Sequence, residues 1–386
     1  MSATVVAGTG WRLRRAALWA HILRSTVREA GSLRAGLAAA RAIAAERDRW
    51  RGPGLPRKLV RGPDGRWFFS LHLPGYPSRA FDRMLTGTLA RLAGDPRPPL
   101  QTLAWAITAR CPLRCSHCSE IELLGEDEPL DDAALDDVLA ALRARGLVQL
   151  QLSGGEPLHR LDRVEHVARA VAHETEVWVL TSGVGLNAEA AARLRAAGVT
   201  GVNVSLDHWE RHAHDAFRRR AGVHAAAVDG IAAARQAGLL TALTLTLTRE
   251  TAEPAFLARY LETAAELGVG FVRWLEPRAV GRWDGHDVAL TPEQQRAVEV
   301  AYISANASDA ALPLVEYPPA DQRQGGCYGA GKTFAFVDAR GRLHACPFCR
   351  DPVADVATGL DAGLARLAAR GCHLERAATF PSRPRT

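Results

Sequence analysis

From Thr102 onward the chain carries six β-branched runs separated by Ala- and Leu-rich helical stretches, and few folds accommodate that order. Strand patterns read at Leu103–Thr108, Val148–Leu152, Val177–Leu180, Gly201–Ser205, Leu240–Thr246 and Phe271–Trp274. Helical patterns fall between them near Leu130–Arg145, Leu161–His173, Asn187–Ala197, Ala221–Ala237 and Ala255–Leu267. Strands joined through helix-length connections run parallel, and near-continuous apolar strands imply helices packed outside the sheet. The pattern therefore predicts an α/β protein with a parallel, curved sheet. In such architectures ligands gather at the carboxyl ends of the strands, so the loops after each strand are the places to search.

Two of those loops stand out. The first contains Cys111-Pro-Leu-Arg-Cys115-Ser-His-Cys118, three thiols within eight residues. Soft thiolates at this spacing suit an iron–sulfur cluster or zinc. A [4Fe–4S] cube held by three Cys keeps one iron open to something that is not protein. A zinc site of three thiolates plus His117 is conceivable, although His117 adjoins Cys118, a poor geometry for both to bind one ion. The second loop is Ser153-Gly154-Gly155-Glu156-Pro157, whose glycines let backbone approach a ligand with no Cβ in the way. Its plain alternative is a tight strand-to-helix turn.

On these two motifs the chain resembles the radical S-adenosylmethionine (radical SAM) superfamily. The resemblance implies a partial (β/α)6 TIM-like barrel with Cys111, Cys115 and Cys118 on a [4Fe–4S] cluster and SAM chelated at the open iron. It implies that His117 contacts the adenine and that Gly154, Gly155 and Glu156 bind the SAM amino group. Thr181-Ser182-Gly183 stands where relatives often carry Thr-Asn-Gly, so Ser182 departs from the pattern but keeps a hydroxyl for the cofactor. Ser205 and Asp207 end the fourth strand as Val-Ser-Leu-Asp; Ser205 reads as a SAM contact and Asp207 as a group that binds SAM or substrate and a candidate catalytic carboxylate. Arg218 is a candidate partner for the SAM carboxylate, with Arg219 and Arg220 beside it and a solvated helix end as the alternative. Glu276, after the sixth strand, is a candidate catalytic carboxylate that takes a proton or anchors an amine. Pairing with Arg273 or Arg278 would leave it without a chemical role.

Cys327, Cys346, Cys349 and Cys372 form a second set. Their order around Gly341 resembles the SPASM or shorter Twitch domains, which add auxiliary [4Fe–4S] clusters. Thr333–Val337 and Arg342–Ala345 flank Asp338-Ala339-Arg340-Gly341 and read as a hairpin that carries Cys327 towards Cys346 and Cys349. The longer SPASM Cys series is missing, which favours one auxiliary cluster over two; an all-thiolate zinc site has similar spacing. Gly326 through Thr333 satisfies G-x-x-x-x-G-K-T, but the stretch lacks a preceding buried strand and a following helix, so a phosphate loop is not the expectation.

The N-terminal hundred residues differ. Leu13, Ala16, Trp19, Ala20, Leu23 and Val27 recur at helical spacing, with Arg14, His21, Arg24 and Arg28 opposite. A second helix covers Leu33–Arg49. Lys58–Val60 and Trp67–Leu73, joined by Gly62-Pro63-Asp64-Gly65, read as a hairpin, Phe81–Leu92 reads as a helix, and Gly94–Pro99 as a linker. The basic helix admits peripheral contact with an anionic membrane; ordinary packing on the barrel is the more economical reading. The expected division is 1–100, an N-terminal helical and hairpin extension; 101–290, the core; and 291–386, a small cluster-binding domain.

The net charge is +6, carried almost wholly by Arg, with Lys only at Lys58 and Lys332. That reads as a compositional bias rather than a nucleic-acid face, so no nucleic-acid partner is expected. Seven Cys, no signal peptide and no membrane-length apolar run point to a reducing cytoplasmic setting. The resemblance implies an oxidoreductase or maturase of natural product biosynthesis that receives one electron from a donor such as flavodoxin or ferredoxin. Reductive cleavage of SAM would give a 5′-deoxyadenosyl radical that takes hydrogen from unactivated carbon. A ribosomal peptide, oxidatively crosslinked, dehydrogenated or joined through a thioether, is the leading substrate. A sugar-alcohol, lipid or other metabolite is the runner-up, and a non-catalytic zinc or cluster module the alternative of another class. Helices rather than a strand are expected to open the chain, which leaves no evident leader-peptide-binding domain and weakens the peptide reading.

Overall fold

In the computed structural model, which describes residues 3–327, 329 and 333–370, strands and helices alternate through the middle of the chain as the pattern requires. The core runs β4 (Thr102–Ala106), α4 (Asp132–Ala144), β5 (Gln149–Ser153), α5 (Leu161–Val171), β6 (Glu176–Thr181), α6 (Ala188–Ala196) and β7 (Gly201–Ser205). It continues with α7 (Arg211–Arg218), α8 (Val223–Gln236), β8 (Leu240–Thr246), α9 (Pro254–Glu266) and β9 (Phe271–Leu275). Ahead of it lie β1 (Thr4–Val6), α1 (Gly8–Ala30), α2 (Leu33–Arg51), β2 (Leu59–Arg61), β3 (Trp67–Phe68) and α3 (Arg79–Leu92). After it come α10 (Pro292–Ala307), β10 (Leu314–Glu316), α11 (Pro318–Gly325), β11 (Phe334–Val337), β12 (Arg342–His344), β13 (Ala354–Asp355) and α12 (Val356–Arg370).

Ten strands form one sheet in the order β10-β9-β8-β7-β6-β5-β4-β11-β12-β13. β4 through β10 are successive parallel neighbours, and β11 is parallel to β4. The edges β10 and β13 do not pair with each other among the described residues, so the barrel stays open. All six expected strands are present. A seventh parallel strand, β10, joins them, and residues 314–355 extend both edges of the same sheet. Outward strand residues such as Leu103, Leu150, Val202, Leu243 and Val272 are fully buried beneath the helices.

The N-terminal extension departs from expectation in two ways. A strand, not a helix, opens the described chain: β1 pairs antiparallel with β2, giving a three-stranded sheet β1-β2-β3. The face of α1 that packs inward centres on Ile22 and Thr26, while Leu13 stays 67 % exposed. Thr26 can be buried because its hydroxyl donates to the Leu23 carbonyl at 3.0 Å, which leaves only its methyl to pack. α1 and α2 approach closely at Gly36, where a Cβ would lie 2.4 Å from Val27 Cγ2. Ile22, Ala40, Phe81, Met84 and Leu85 then bind the three helices together.

The strand pair β2–β3 closes the floor of the barrel. Val60, Phe68 and Leu71 pack on Trp178, Leu240, Phe271 and Leu314 at the starts of their strands. Two buried strand carboxylates fasten the plug: Gly75 N–H donates to Glu176 Oε2 at 2.8 Å and Leu71 N–H to Glu316 Oε1 at 2.9 Å. Such a carboxylate is held in a dry site only because donors meet it.

Lys58, just before β2, is wholly buried, and its ammonium donates to the Ala310 and Leu312 carbonyls at 3.4 and 3.3 Å. Burial lowers its pKa from 10.5 to about 8, with Asp309 opposing. Between those values the unfolded chain holds the proton that the native state releases, so unfolding free energy rises with pH across that window. Urea unfolding at pH 7.5, 9 and 10 is expected to show that rise, and Lys58→Met to remove it.

Candidate functional site

The loops after β4 and β5 meet at the barrel rim. Gly155 N–H donates to the Thr108 carbonyl and Glu156 N–H to the Arg110 carbonyl, each at 2.7 Å. A Cβ on Gly154 would lie 2.5 Å from Thr108 O, and one on Gly155 2.3 Å from Arg110 O and 2.8 Å from Cys111 Cβ. Glycine is required at both positions because the loops touch through backbone. Glu128 holds the Cys loop from the other side, accepting from Thr108 Oγ1 at 2.5 Å and Ala109 N at 3.0 Å while pairing with Arg160 and Arg163.

Cys111, Cys115 and Cys118 lie together against Leu113, Val223 and Val184. Burial pushes the Cys111 thiol up to about 12 and Cys118 to about 11, with smaller opposing pulls from the Leu113 and Glu120 backbone amides. A cationic iron cluster offsets such a desolvation cost, because it binds the thiolate form. The His117 ring stacks on Phe217, centroids 4.6 Å apart and planes within 11°, with Trp283 tilted beside it at 5.8 Å. Burial pushes its pKa down to about 3, and its buried Nδ1 has no hydrogen-bond partner. Three grouped thiols, a glycine-lined approach and an orphaned ring nitrogen fit a [4Fe–4S] cluster with a polar organic ligand. Among the described residues, no three His, Cys, Asp or Glu side chains converge as a cage for a single ion. A cube does not need that convergence, since its thiolates bind separate irons.

The other rim residues are largely committed to one another. Glu156 accepts from Thr181 Oγ1 (2.6 Å), Ser182 Oγ (2.5 Å), Ser182 N (2.8 Å) and Leu158 N (3.2 Å), tying the β5 and β6 loops together. Burial raises its pKa and these donors pull against the rise. The Ser182 hydroxyl is thus turned to Glu156. Ser205, at the end of β7, is half-buried. Asp207 follows on the same rim and accepts from Arg218 Nε and Nη2 at 2.7 and 2.6 Å and from Thr246 N at 3.2 Å. Burial alone would raise the Asp207 pKa, but Arg218, His117, His214 and the Thr246 amide together outweigh it and the carboxyl sits low. Arg218 also directs Nη1 at Cys115 Sγ, 3.8 Å away. Arg219 adopts φ 56° at the end of α7 and points outward with Arg220, which separates Arg218 from its two neighbours.

The second thiol set assembles on the β11–β12 hairpin. Cys346 and Cys349 Sγ are 3.5 Å apart, and Gly329 N–H donates to Cys327 Sγ at 3.3 Å while its loop abuts Ala345. The Cys349 contact lowers the Cys346 pKa to about 7. Cys372 lies outside the described residues. His344 sits 3.0 Å from both the Cys349 carbonyl and the Asp338 carboxylate, bracing the loop. Arg350 pairs with Glu120 at 3.2 Å, linking this loop to the first Cys loop.

Residues 105–261 match the model of the Radical SAM superfamily. A PqqA peptide cyclase from Streptomyces rochei is 33 % identical over 248 residues, covering 62 % of this chain and 67 % of its own length. The chain belongs to the radical SAM superfamily. It is an enzyme of the class that uses a [4Fe–4S] cluster and SAM. A GTP 3′,8-cyclase from Streptomyces coelicolor is 36 % identical over 168 residues, covering 42 % of this chain and 47 % of its own. The structure of Streptococcus suis SuiB bound to precursor peptide SuiA shares the fold, with TM-score 0.53 and 11 % identity over 73 % of this chain and 65 % of that one.

In this radical SAM chain a chamber of about 580 Å³ fills the open barrel. Ala104, Gln151, Ser153 and Leu180 line its inner end, the last two just ahead of Gly154 and Thr181. Cys327 and Cys346 border it on one side, and α1 and α2 wall its open flank. Glu276 faces it at 9 % exposure, and its partners are neither Arg273 nor Arg278, the pairing that would have left it without a chemical role. Tyr317 donates to its Oε1 at 2.5 Å and Arg323 at 3.1 Å, and Arg323 also pairs with Glu299. Burial, with Glu276 adding, drives the Tyr317 phenol well above its ordinary pKa, which keeps it a donor. Sequence spacing did not reveal Phe217, Trp283, Glu128 or Tyr317, because each acts through a partner far along the chain, and it did not reveal His344, whose partners Asp338 and Cys349 are local but carry no recognisable spacing.

The Asp207–Arg218 pair is at least nine-tenths buried on both sides. Asp207→Asn leaves the guanidinium uncompensated and is expected to cost about 3–5 kcal/mol. Asp207→Asn with Arg218→Met should cost measurably less than Asp207→Asn alone in urea unfolding.

Proposed function

We propose that this chain is a radical SAM oxidoreductase that takes a hydrogen atom from an unactivated carbon of a substrate held in the barrel chamber. The observation that carries this reading is the backbone-to-backbone contact of the Cys loop with Gly154 and Gly155, which sets three thiols beside a glycine-lined ligand site. Cys111, Cys115 and Cys118 would hold the cluster. When bound, cluster and SAM supply a carbon-centred radical on one-electron reduction, by a donor such as flavodoxin or ferredoxin. His117, stacked on Phe217, would pack the adenine. Gly154 and Gly155 admit the amino-acid end. Glu156 and Ser182 hold that loop in shape, and Ser205 and Arg218 offer a hydroxyl and a cation to the cofactor. Asp207 positions Arg218. Glu276, with Tyr317 and Arg323 on one oxygen, is the carboxylate available to accept a substrate proton.

Cys327, Cys346 and Cys349, with Cys372 as fourth ligand, would hold an auxiliary cluster beside the chamber, the side from which a substrate's second electron would leave. That arrangement favours an oxidative product. Residues 1–100 would then serve as plug and wall, 101–290 as the radical core, and 291–386 as the auxiliary unit.

For the substrate, a ribosomally made peptide is supported by the relative named as a PqqA peptide cyclase and by the SuiB structure with its precursor peptide. A second reading, an apolar metabolite, is favoured by the apolar walls of the chamber.

Anaerobic reconstitution tests the reaction class. Wild type reduced with dithionite in the presence of SAM is expected to release 5′-deoxyadenosine and methionine. Cys111→Ala, Cys115→Ala and Cys118→Ala should each abolish release, and the triple variant should lose about four irons per chain. Release undiminished in the triple variant contradicts the proposal.

A further inference from the structure

The chamber has one end at the radical site and the other outside the barrel altogether. Its outer end lies between α1 and α2, among Leu18, Trp19, Ile43 and Trp50, well beyond the strands. A volume near 580 Å³ is within the roughly 300–1,000 Å³ of small-molecule sites. Here the space continues past the lumen into the helical hairpin of α1 and α2.

The polar groups along this path are mostly turned to one another. Gln151 Nε2 donates to Gln149 Oε1 at 2.9 Å, Arg273 Nε to Thr244 Oγ1 at 3.2 Å, and Trp50 Nε1 to Glu46 Oε1 at 2.7 Å. An extended peptide drawn in here would bring an N–H and a C=O per residue, each costly to bury without a partner. A hydrocarbon chain brings none.

The entrance has its own character. Arg15 lies 5.2 Å over the Trp11 ring and Arg47 5.1 Å over Trp19, so two guanidinium groups flank an aromatic mouth. Arg47 is paired with Asp48 at 2.6 Å, whereas Arg15 has no carboxylate partner among the described residues. Residues 8–51 hold ten Arg against three acidic residues, an excess of seven, slightly more than the +6 of the whole chain. The positive charge read from the sequence as dispersed is therefore concentrated on these two helices.

We infer that the chamber binds a single-chain amphiphile with an anionic head: the head rests at Arg15, the hydrocarbon chain runs past Ile43 and Trp50, and a chain carbon reaches the strand ends at Ser153 and Leu180. The inference deepens the second substrate reading, an apolar metabolite, and sets the peptide aside; it rests on the radical SAM reading for its chemistry and on the chamber alone for its ligand.

The full chain, anaerobically reconstituted, is titrated with cis-parinaric acid, a fluorescent C18 fatty acid. Saturable binding at one site per chain is expected, with displacement that strengthens about tenfold or more from octanoate to palmitate, because each added buried methylene contributes. Ile43→Trp and Ala104→Phe fill the chamber from two different elements; whichever keeps the wild-type far-UV circular dichroism should weaken binding at least about tenfold. Arg15→Gln should weaken oleate several-fold and leave oleyl alcohol unchanged. Absence of saturable binding, equal binding by a folded filled variant, or displacement by a short apolar peptide but not by palmitate overturns the inference. 5′-Deoxyadenosine release in the same preparations keeps the two proposals apart. Cleavage without parinarate binding removes the ligand assignment alone, and binding without cleavage removes the radical reading alone.

Discussion

The site depends on a contact between two loops that no side chain could share. Gly154 and Gly155 bring the β5 loop onto the Thr108 and Arg110 carbonyls so closely that any Cβ would overlap them. This contact fixes the Cys loop against the neighbouring strand end, and the other rim groups are arranged from it. Glu156 ties the same loop to β6, and Arg218, held by Asp207 beyond β7, reaches back to Cys115. Four adjacent strand ends are thereby joined by short polar bonds before any cofactor binds. Rigid strands beneath and a braced rim above are what positioning of a reactive carbon requires.

Much of this was legible in the sequence because the signals are local. β-Branched runs between helix-length segments gave the six core strands nearly to the residue, and the Cys and Gly-Gly-Glu motifs announced themselves by spacing. What was missed acts over long separations. β10 is three residues, Leu314–Glu316, embedded between prolines and too short to show a period; it exists because β9 offers it an edge. β1 is as short and pairs with a strand more than fifty residues on. Glu176 and Glu316 look like surface residues until the hairpin amides that they accept from are in place. Arg218 could not be told from Arg219 and Arg220 by composition, since the left-handed turn at Arg219 is what sends only the first inward.

The N-terminal extension is an integral part of the core rather than an appendage. Phe68 and its neighbours fill the barrel floor, while α1 and α2 cover the flank that an open sheet leaves exposed. An open barrel exchanges the self-sufficiency of a closed one for lateral access, and the covering element then governs what enters. Here that element is Arg-rich outside and aromatic at the opening. Cys327 and Cys346, of the second thiol set, border the same space.

The central claim is that three thiolates hold a four-iron cube whose remaining corner is free for SAM. Mössbauer spectroscopy of 57Fe-reconstituted protein, with Cys327, Cys346 and Cys349 replaced by Ala to isolate the first cluster, tests it most directly. The account predicts that adding SAM shifts the isomer shift and quadrupole splitting of one iron in four and leaves the other three unchanged. A spectrum that does not respond to SAM, with all four irons equivalent to fully thiolate-ligated sites, would contradict it.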